Sequence, residues 1–181
     1  ILFLRIVNIN KLSSHLCVIM ALILKANLNH INEIIALAKE TWYATYSSLV
    51  PLEQIAFMLN EFYNEELLAK QMNDPKHHFL VMIEDESLIG YSHCIEKEDS
   101  VKLSKLYFSP HLQGKGYGKM LMQEIEKEVK LLGYSTIELC VNRGNTAQYF
   151  YEKMGFVITE EADFPIGDYW MNDYVMKKTL L

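Results

Sequence analysis

The sequence predicts an α/β (α+β) domain in which a mixed sheet is flanked by helices. Three observations predict it. Residues 31–72 carry apolar side chains at helical spacing, residues 77–108 change to strand-like runs joined by acidic turns, and "SPHLQGKGYGKML" at 109–121 sets three glycines at alternate positions between a strand and a further helix.

The elements follow in order. "MALILKA" at 20–26 reads as a short strand, and Asn27 or Asn29 can cap the helix after it. In "HINEIIALAKETWYATY", Ile31, Ile34, Ile35, Leu37 and Ala38 form one apolar stripe. Pro51 suits the first turn of a second helix, "PLEQIAFMLNEFY", and "NEELLAKQM" predicts a third. The runs 77–84, 88–96 and 101–108 are strands, with "EDES" and "EKEDS" as hairpin turns. Beyond the glycines, Leu121, Ile125, Val129 and Leu132 line a helix that stops at Gly133. "STIELCV" is a strand, "NTAQYFYEKM" a helix closed by Gly155, and "FVITE" a strand, which completes a crossover unit.

Composition narrows the function. A chain of 181 residues, 50% hydrophobic and 22% charged, fits one globular domain and excludes a disordered one. The net charge of -6 and the lack of a Lys/Arg cluster argue against nucleic acid as a partner. Cys17, Cys94 and Cys140 are scattered and include no CxxC, which fits a reducing, cytoplasmic setting, and no metal-ligand pattern appears. The apolar opening is broken by Arg5, Asn8, Asn10 and Lys11 before it reaches membrane-spanning length. Met20 is a candidate start, which makes residues 1–19 an extension of a 20–181 domain; the alternative is an extra strand or arm packed on it.

Gly114, Gly116 and Gly118 can turn backbone N–H groups toward one point, where the free N–H groups of the next helix add positive potential. The expected ligand is a phosphate or pyrophosphate. The spacing G-x-G-x-G followed by Lys119 matches neither the dinucleotide fingerprint nor a nucleotide-triphosphate loop. Downstream, "VNRGNTAQYFYEKMGF" sets Asn142 and Asn145 at a strand end and Tyr149 and Tyr151 in the next helix. A tyrosine there can donate a proton to a leaving group, or anchor its helix to the core.

"QGKGYG" at 113–118 and "FYEKMGF" at 150–156 together resemble the two signatures of the GCN5-related N-acetyltransferases, most closely their bacterial members acting on diamines, polyamines and other small substrates. The resemblance covers about residues 20–178. It implies a mostly antiparallel twisted sheet whose central strands splay at an acetyl-CoA site. It also implies that Gln113, Gly114, Lys115, Gly116, Tyr117 and Gly118 offer amides to the CoA pyrophosphate. Leu106 and Tyr107 would supply main-chain groups to the acetyl and pantetheine portions, Asn145 would contact the cofactor, and Tyr151 would protonate the departing thiolate. Asn145 lies one residue nearer Tyr151 than in many members, so Asn142 competes for its role. The resemblance allows a homodimer.

The implied reaction is direct acetyl transfer to a primary amine of a small cationic molecule such as a polyamine. The alternatives are a non-catalytic CoA-binding module and a protein N-terminal acetyltransferase. A protonated amine needs a base, for which Glu138, His93, Glu160 and Glu161 are candidates. Trp42, Tyr43, Tyr46 and Phe62 can wall the acceptor site or be plain core, and Asp163, Asp168 or Asp173 can attract a cation.

Overall fold

In the computed structural model, which describes residues 5–8, 20–112 and 114–181, the first block after β1 (Arg5–Asn8) and β2 (Met20–Lys25) is helical. The expectation for residues 1–19 therefore falls mostly outside the described residues, as does Gln113. A short 3-10 turn at Leu28–His30 leads into α1 (Ile31–Tyr46). Asn27 starts that turn: its Oδ1 accepts the Asn29 N–H at 2.9 Å while its own N–H donates to His30 Nδ1 at 3.0 Å. Pro51 immediately precedes α2 (Leu52–Phe62), and Asn64 caps α3 (Glu65–Asn73) by accepting the Leu67 N–H at 2.8 Å.

Three strands, β3 (His77–Glu84), β4 (Ser87–Glu96) and β5 (Val101–Phe108), then form an antiparallel meander. After the glycine loop come α4 (Tyr117–Leu131), β6 (Thr136–Asn142), α5 (Ala147–Lys153), β7 (Val157–Ile166) and β8 (Tyr169–Thr179). Among the described residues, eight strands make one sheet in the order β1-β2-β3-β4-β5-β6-β8-β7, and in it only the β5–β6 contact is parallel, as a crossover through α4 requires.

The end of the chain differs from the sequence reading. The strand begun by "FVITE" continues to Ile166, and β8 follows it as the second arm of the terminal hairpin, whose bounds the sequence pattern does not mark. Most of β7 is exposed, so no buried apolar face imposes the alternation by which strands are recognised. Pro165 is tolerated because β7 is an edge strand, paired only to β8.

The sheet separates two cores. On one face, Tyr117, Leu121, Met122, Ile125 and Val129 of α4 pack on Met82, Leu103, Leu139 and Met176. On the other, Ile34, Ala38, Trp42, Ile55 and Leu68 from α1–α3 pack on Phe79, Val81 and Tyr91. The two faces of β4 and β5 are thus both covered, which holds the middle of the sheet rigidly.

The feature that positions the site is where β5 and β6 stop pairing. They share only Val101↔Ile137 and Lys102↔Glu138, although β5 runs on to Phe108 and β6 to Asn142. Beyond that point β5 stays with β4 and β6 stays with β8, so a wedge opens between their carboxyl ends. Ser104 is the extra residue of a bulge in β5, between Leu103, opposite Cys94, and Lys105, opposite His93. A bulge bends its strand and ends regular pairing.

Leu121 is 0% exposed in the α4 core, so Leu121→Ala is expected to lower the unfolding free energy by about 2–5 kcal/mol, measurable by urea titration.

Candidate active site

The loop and the first turn of α4 stand at the mouth of the wedge. Gly114 (φ +79°) and Gly116 (φ +90°) adopt left-handed conformations, and a Cβ on either would meet nothing within 4 Å. Backbone conformation, not packing, therefore selects glycine there, and the space beside the loop is open. No side chain caps α4, whose first turn begins with Met120 N–H donating to Gly116 carbonyl at 3.2 Å. The earlier N–H groups of the turn lack intrahelical partners, an arrangement able to bind an anion.

Gly118 has a different task. A Cβ there would lie 3.3 Å from the Phe150 ring, so the glycine lets α4 start against α5. Tyr117 is buried and donates its hydroxyl proton to Glu84, and burial followed by that carboxylate pushes its pKa up to about 12. Only its backbone belongs to the loop. Lys115 is exposed.

Side chains from distant segments meet over the wedge. Asn145 Nδ2 donates to Tyr46 Oη at 3.4 Å, while Asn145 Oδ1 accepts the Ala147 N–H at 2.9 Å and so fixes the start of α5. The Trp42 ring centre lies 5.0 Å from that of Tyr46 and 6.5 Å from that of Tyr107. Tyr151 packs against Phe150 and Phe156, and its hydroxyl keeps its proton well above neutral pH because of burial and, secondarily, Tyr46. Asn142 is committed locally: its Oδ1 accepts the Gly144 N–H at 3.0 Å. Leu106 and Tyr107 lie on the stretch of β5 that β6 has left, so their backbone borders the wedge.

The structure brings together Tyr46, Trp42, Tyr107, Asn145 and Tyr151, but it places three other candidates elsewhere. His93 is 0% exposed on β4, stacked 3.9 Å from Phe79, with its Nδ1 accepting from Lys105 Nζ at 3.3 Å and its Nε2 2.9 Å from His77 Nδ1. Burial, and then Lys105, drop its pKa to about 2, so it is a neutral acceptor for a buried lysine. Glu138 lies where β5 and β6 still pair, 3.7 Å from Lys177 Nζ. It is four residues, about 13 Å along a strand, from Asn142 at the open end. Asp168 is exposed at the tip of the β7–β8 hairpin.

That hairpin closes the groove from the far side. A Cβ at Gly167 would clash with the Phe57 ring of α2 at 2.6 Å, and Gln54 Nε2 donates to the Trp170 carbonyl at 3.2 Å. Of the acids named from sequence, Asp173 alone points inward: it is 2% exposed, opposite Asn142 in register. Sequence reasoning named it only beside Asp163 and the favoured Asp168, because the strand alternation that turns Asp173 inward belongs to β8. The Asn145–Tyr46 contact joins residues 99 positions apart, and no local pattern announces it.

Parted parallel strands with a glycine-rich helix start at their carboxyl ends, and an un-ionised tyrosine beside them, form an arrangement that can take an anionic ligand and supply a proton. The model of the "Acetyltransferase (GNAT) domain" family matches residues 47–178, and the chain belongs to that family. An uncharacterized N-acetyltransferase of Mycobacterium tuberculosis is 32% identical over 152 residues, 83% of this chain and 97% of that one. The spermidine N(1)-acetyltransferase of Thermoplasma acidophilum is 30% identical over 147 residues, 77% and 91% of the two chains. The crystal structure of a PaiA N-acetyltransferase from Thermoplasma acidophilum in complex with coenzyme A superposes with a TM-score of 0.78 at 28% identity, covering 88% of this chain and 98% of that one. The chain is accordingly an acetyl-CoA-dependent acetyltransferase. Among the described residues, no group of His, Cys, Asp and Glu could hold a metal ion, and no helix is long and apolar enough to cross a membrane.

Replacing Gly116 by Val forces a β-branched residue into a left-handed conformation in the middle of the loop. CoA affinity, titrated calorimetrically, is expected to fall at least tenfold; unchanged affinity would separate the loop from the cofactor.

Proposed function

We propose that the chain transfers the acetyl group of acetyl-CoA directly to a primary amine of a small cationic molecule of the polyamine class. The observation that carries this reading is the parting of β5 from β6 after Lys102 and Glu138, with Tyr151, Tyr46 and Asn145 gathered at the opening. The acceptor class is supported by the acidic hairpin, with Glu160, Glu161, Asp163 and Asp173 on β7 and β8, and by the similarity to a spermidine acetyltransferase.

Bound acetyl-CoA supplies an acyl carbon already activated as a thioester. The chain's own residues then have to bind, orient and move protons. The amides of Gly114 to Gly118 hold the pyrophosphate, and the unpaired edge of β5 at Leu106 and Tyr107 holds the extended arm and the acetyl oxygen. Asn145, with Asn142 supporting its turn through the 2.8 Å Asn145 N–H to Asn142 carbonyl bond, keeps the second strand's end in place. Tyr151 holds a proton at Oη for the sulfur that departs, and its raised pKa keeps that proton available at neutral pH. Tyr46 and Trp42 form the apolar wall past which the amine's carbon chain enters.

Thiol release is measured with spermidine, putrescine, aminoglycosides and short peptides as acceptors. Release with the di- and polyamines at micromolar to millimolar KM is expected; release confined to peptides would instead assign a protein N-terminal acceptor. Tyr151→Phe is expected to lower kcat roughly a hundredfold or more, with CoA affinity within about twofold of wild type. Equal loss of both would give Tyr151 a packing role only.

A further inference from the structure

Resting on the amine-acetylation reading, we propose that Asp173 is the catalytic residue on the acceptor side: its carboxylate receives the substrate ammonium and takes the proton that must leave before nitrogen can attack. Asp173 projects from β8 on the sheet face that carries Cys140 and Asn142, opposite Asn142 in register, at the open end of the wedge. It is 2% exposed, and its Oδ1 is enclosed without a hydrogen-bond partner. No ion pair among the described residues includes it.

The surrounding groups leave this carboxylate oxygen unpartnered. Arg143, the nearby guanidinium, is committed to Glu161 at 3.0 Å and to Asp163, which also accepts from Asn172 Nδ2 at 2.8 Å. Lys102 from β5 attracts the carboxylate through space without bonding to it, Asp163 from β7 repels it, and Tyr46 from α1 and Cys140 from β6 also feel its charge. A buried carboxylate left without a donor is strongly disfavoured unless a cation arrives. Burial raises its pKa to about 6, above the usual carboxylate range, so it is an anion at neutral pH yet basic enough to accept a proton. Tyr46, hydrogen-bonded to Asn145, connects this carboxylate to the α5 side of the wedge, where Tyr151 lies. Neither His93 nor Glu138 combines these properties.

The step balances as follows. An ammonium N–H bond breaks and its proton passes to Asp173. The freed nitrogen lone pair forms the new C–N bond while the C–S bond breaks, its electron pair leaving on sulfur, which takes the Tyr151 proton. The surplus proton on nitrogen restores Tyr151, and Asp173 releases its proton to solvent as product leaves.

The test compares the full chain with Asp173→Asn and Asp173→Ala, using spermidine as probe. Wild-type kcat/KM for spermidine is expected to fall tenfold per pH unit below about pH 6, because protonation removes the base. Asp173→Asn should lose roughly a hundredfold or more on the plateau and lose that acidic limb, with CoA affinity within about twofold and a thermal midpoint at pH 8 no lower than wild type. Variants within threefold of wild type that keep the limb would overturn the assignment while leaving amine acetylation intact. If no amine is acetylated, calorimetric titration of spermidine into the CoA-loaded chain still decides: binding by wild type and not by Asp173→Asn supports the cation site. No spermidine binding by wild type overturns both readings.

Discussion

The site depends on an arrangement in which two neighbouring parallel strands pair at one end and not at the other. After Lys102 and Glu138, the backbone N–H and carbonyl groups on the facing edges of β5 and β6 have no ladder to join. Backbone polar groups in a protein interior need partners, so such an edge calls for a ligand with an extended, amide-bearing arm. The wedge cannot relax by closing, because β5 is paired through its length to β4 and β6 through its length to β8. Beneath it, α4 and α5 meet where Gly118 admits the Phe150 ring, which fixes the spacing of the two strand ends from below.

A second constraint is electrostatic. Five tyrosines, Tyr46, Tyr63, Tyr91, Tyr107 and Tyr151, have pKa values raised mainly by burial; the first four form a protonated, neutral wall between α1, α2 and the sheet, and Tyr151 packs on the α4 side. Tyr91 donates to Tyr63 Oη at 3.0 Å, and Trp42 Nε1 donates to the same oxygen at 3.3 Å, so the polar tips are satisfied within the wall. Two charges sit beside it. Lys105 is answered by the neutral His93 ring and the Tyr63 face, 5.3 Å away, and burial lowers its pKa to about 8. Asp173 is more deeply buried than the half-buried Lys105, and among the described residues its Oδ1 has no hydrogen-bond partner, which gives the two charges different meanings.

The sequence made the cofactor side legible and the acceptor side only partly so. Gly114, Gly116, the helix after them and the strand before them are neighbours in the chain, and their pattern survives because backbone geometry allows few residues there. The meander β3–β5 was equally visible, since its strands are apolar and bounded by acidic turns. The bounds and register of the hairpin were not, because β7 is exposed and β8 alternates Met171, Asp173, Val175 and Lys177 on one face, a mixture that hides a half-buried strand. Without that register, Asp163, Asp168 and Asp173 look alike. In space they are an exposed partner of Arg143, a solvent-facing turn residue and a buried carboxylate.

The two sides of the site are built from different materials, and this has a consequence for specificity. In the proposed reading the cofactor side is made largely from backbone, which tolerates side-chain replacement except where Gly114 and Gly116 hold left-handed conformations. The acceptor side, in the same proposed reading, comes from side chains of α1, α2 and the β7–β8 hairpin, which are held by contacts such as Phe57 against Gly167 and Tyr169, 5.5 Å between the aromatic ring centres, and Gln54 to the Trp170 carbonyl. Sliding the hairpin by one residue would turn Asp173 out of the groove, because adjacent strand residues face opposite sides of the sheet. The β6–β8 ladder, unbroken from Thr136↔Thr179 to Asn142↔Asp173, therefore fixes on which face the buried Asp173 carboxylate lies, and with it the charge of the acceptor pocket we propose.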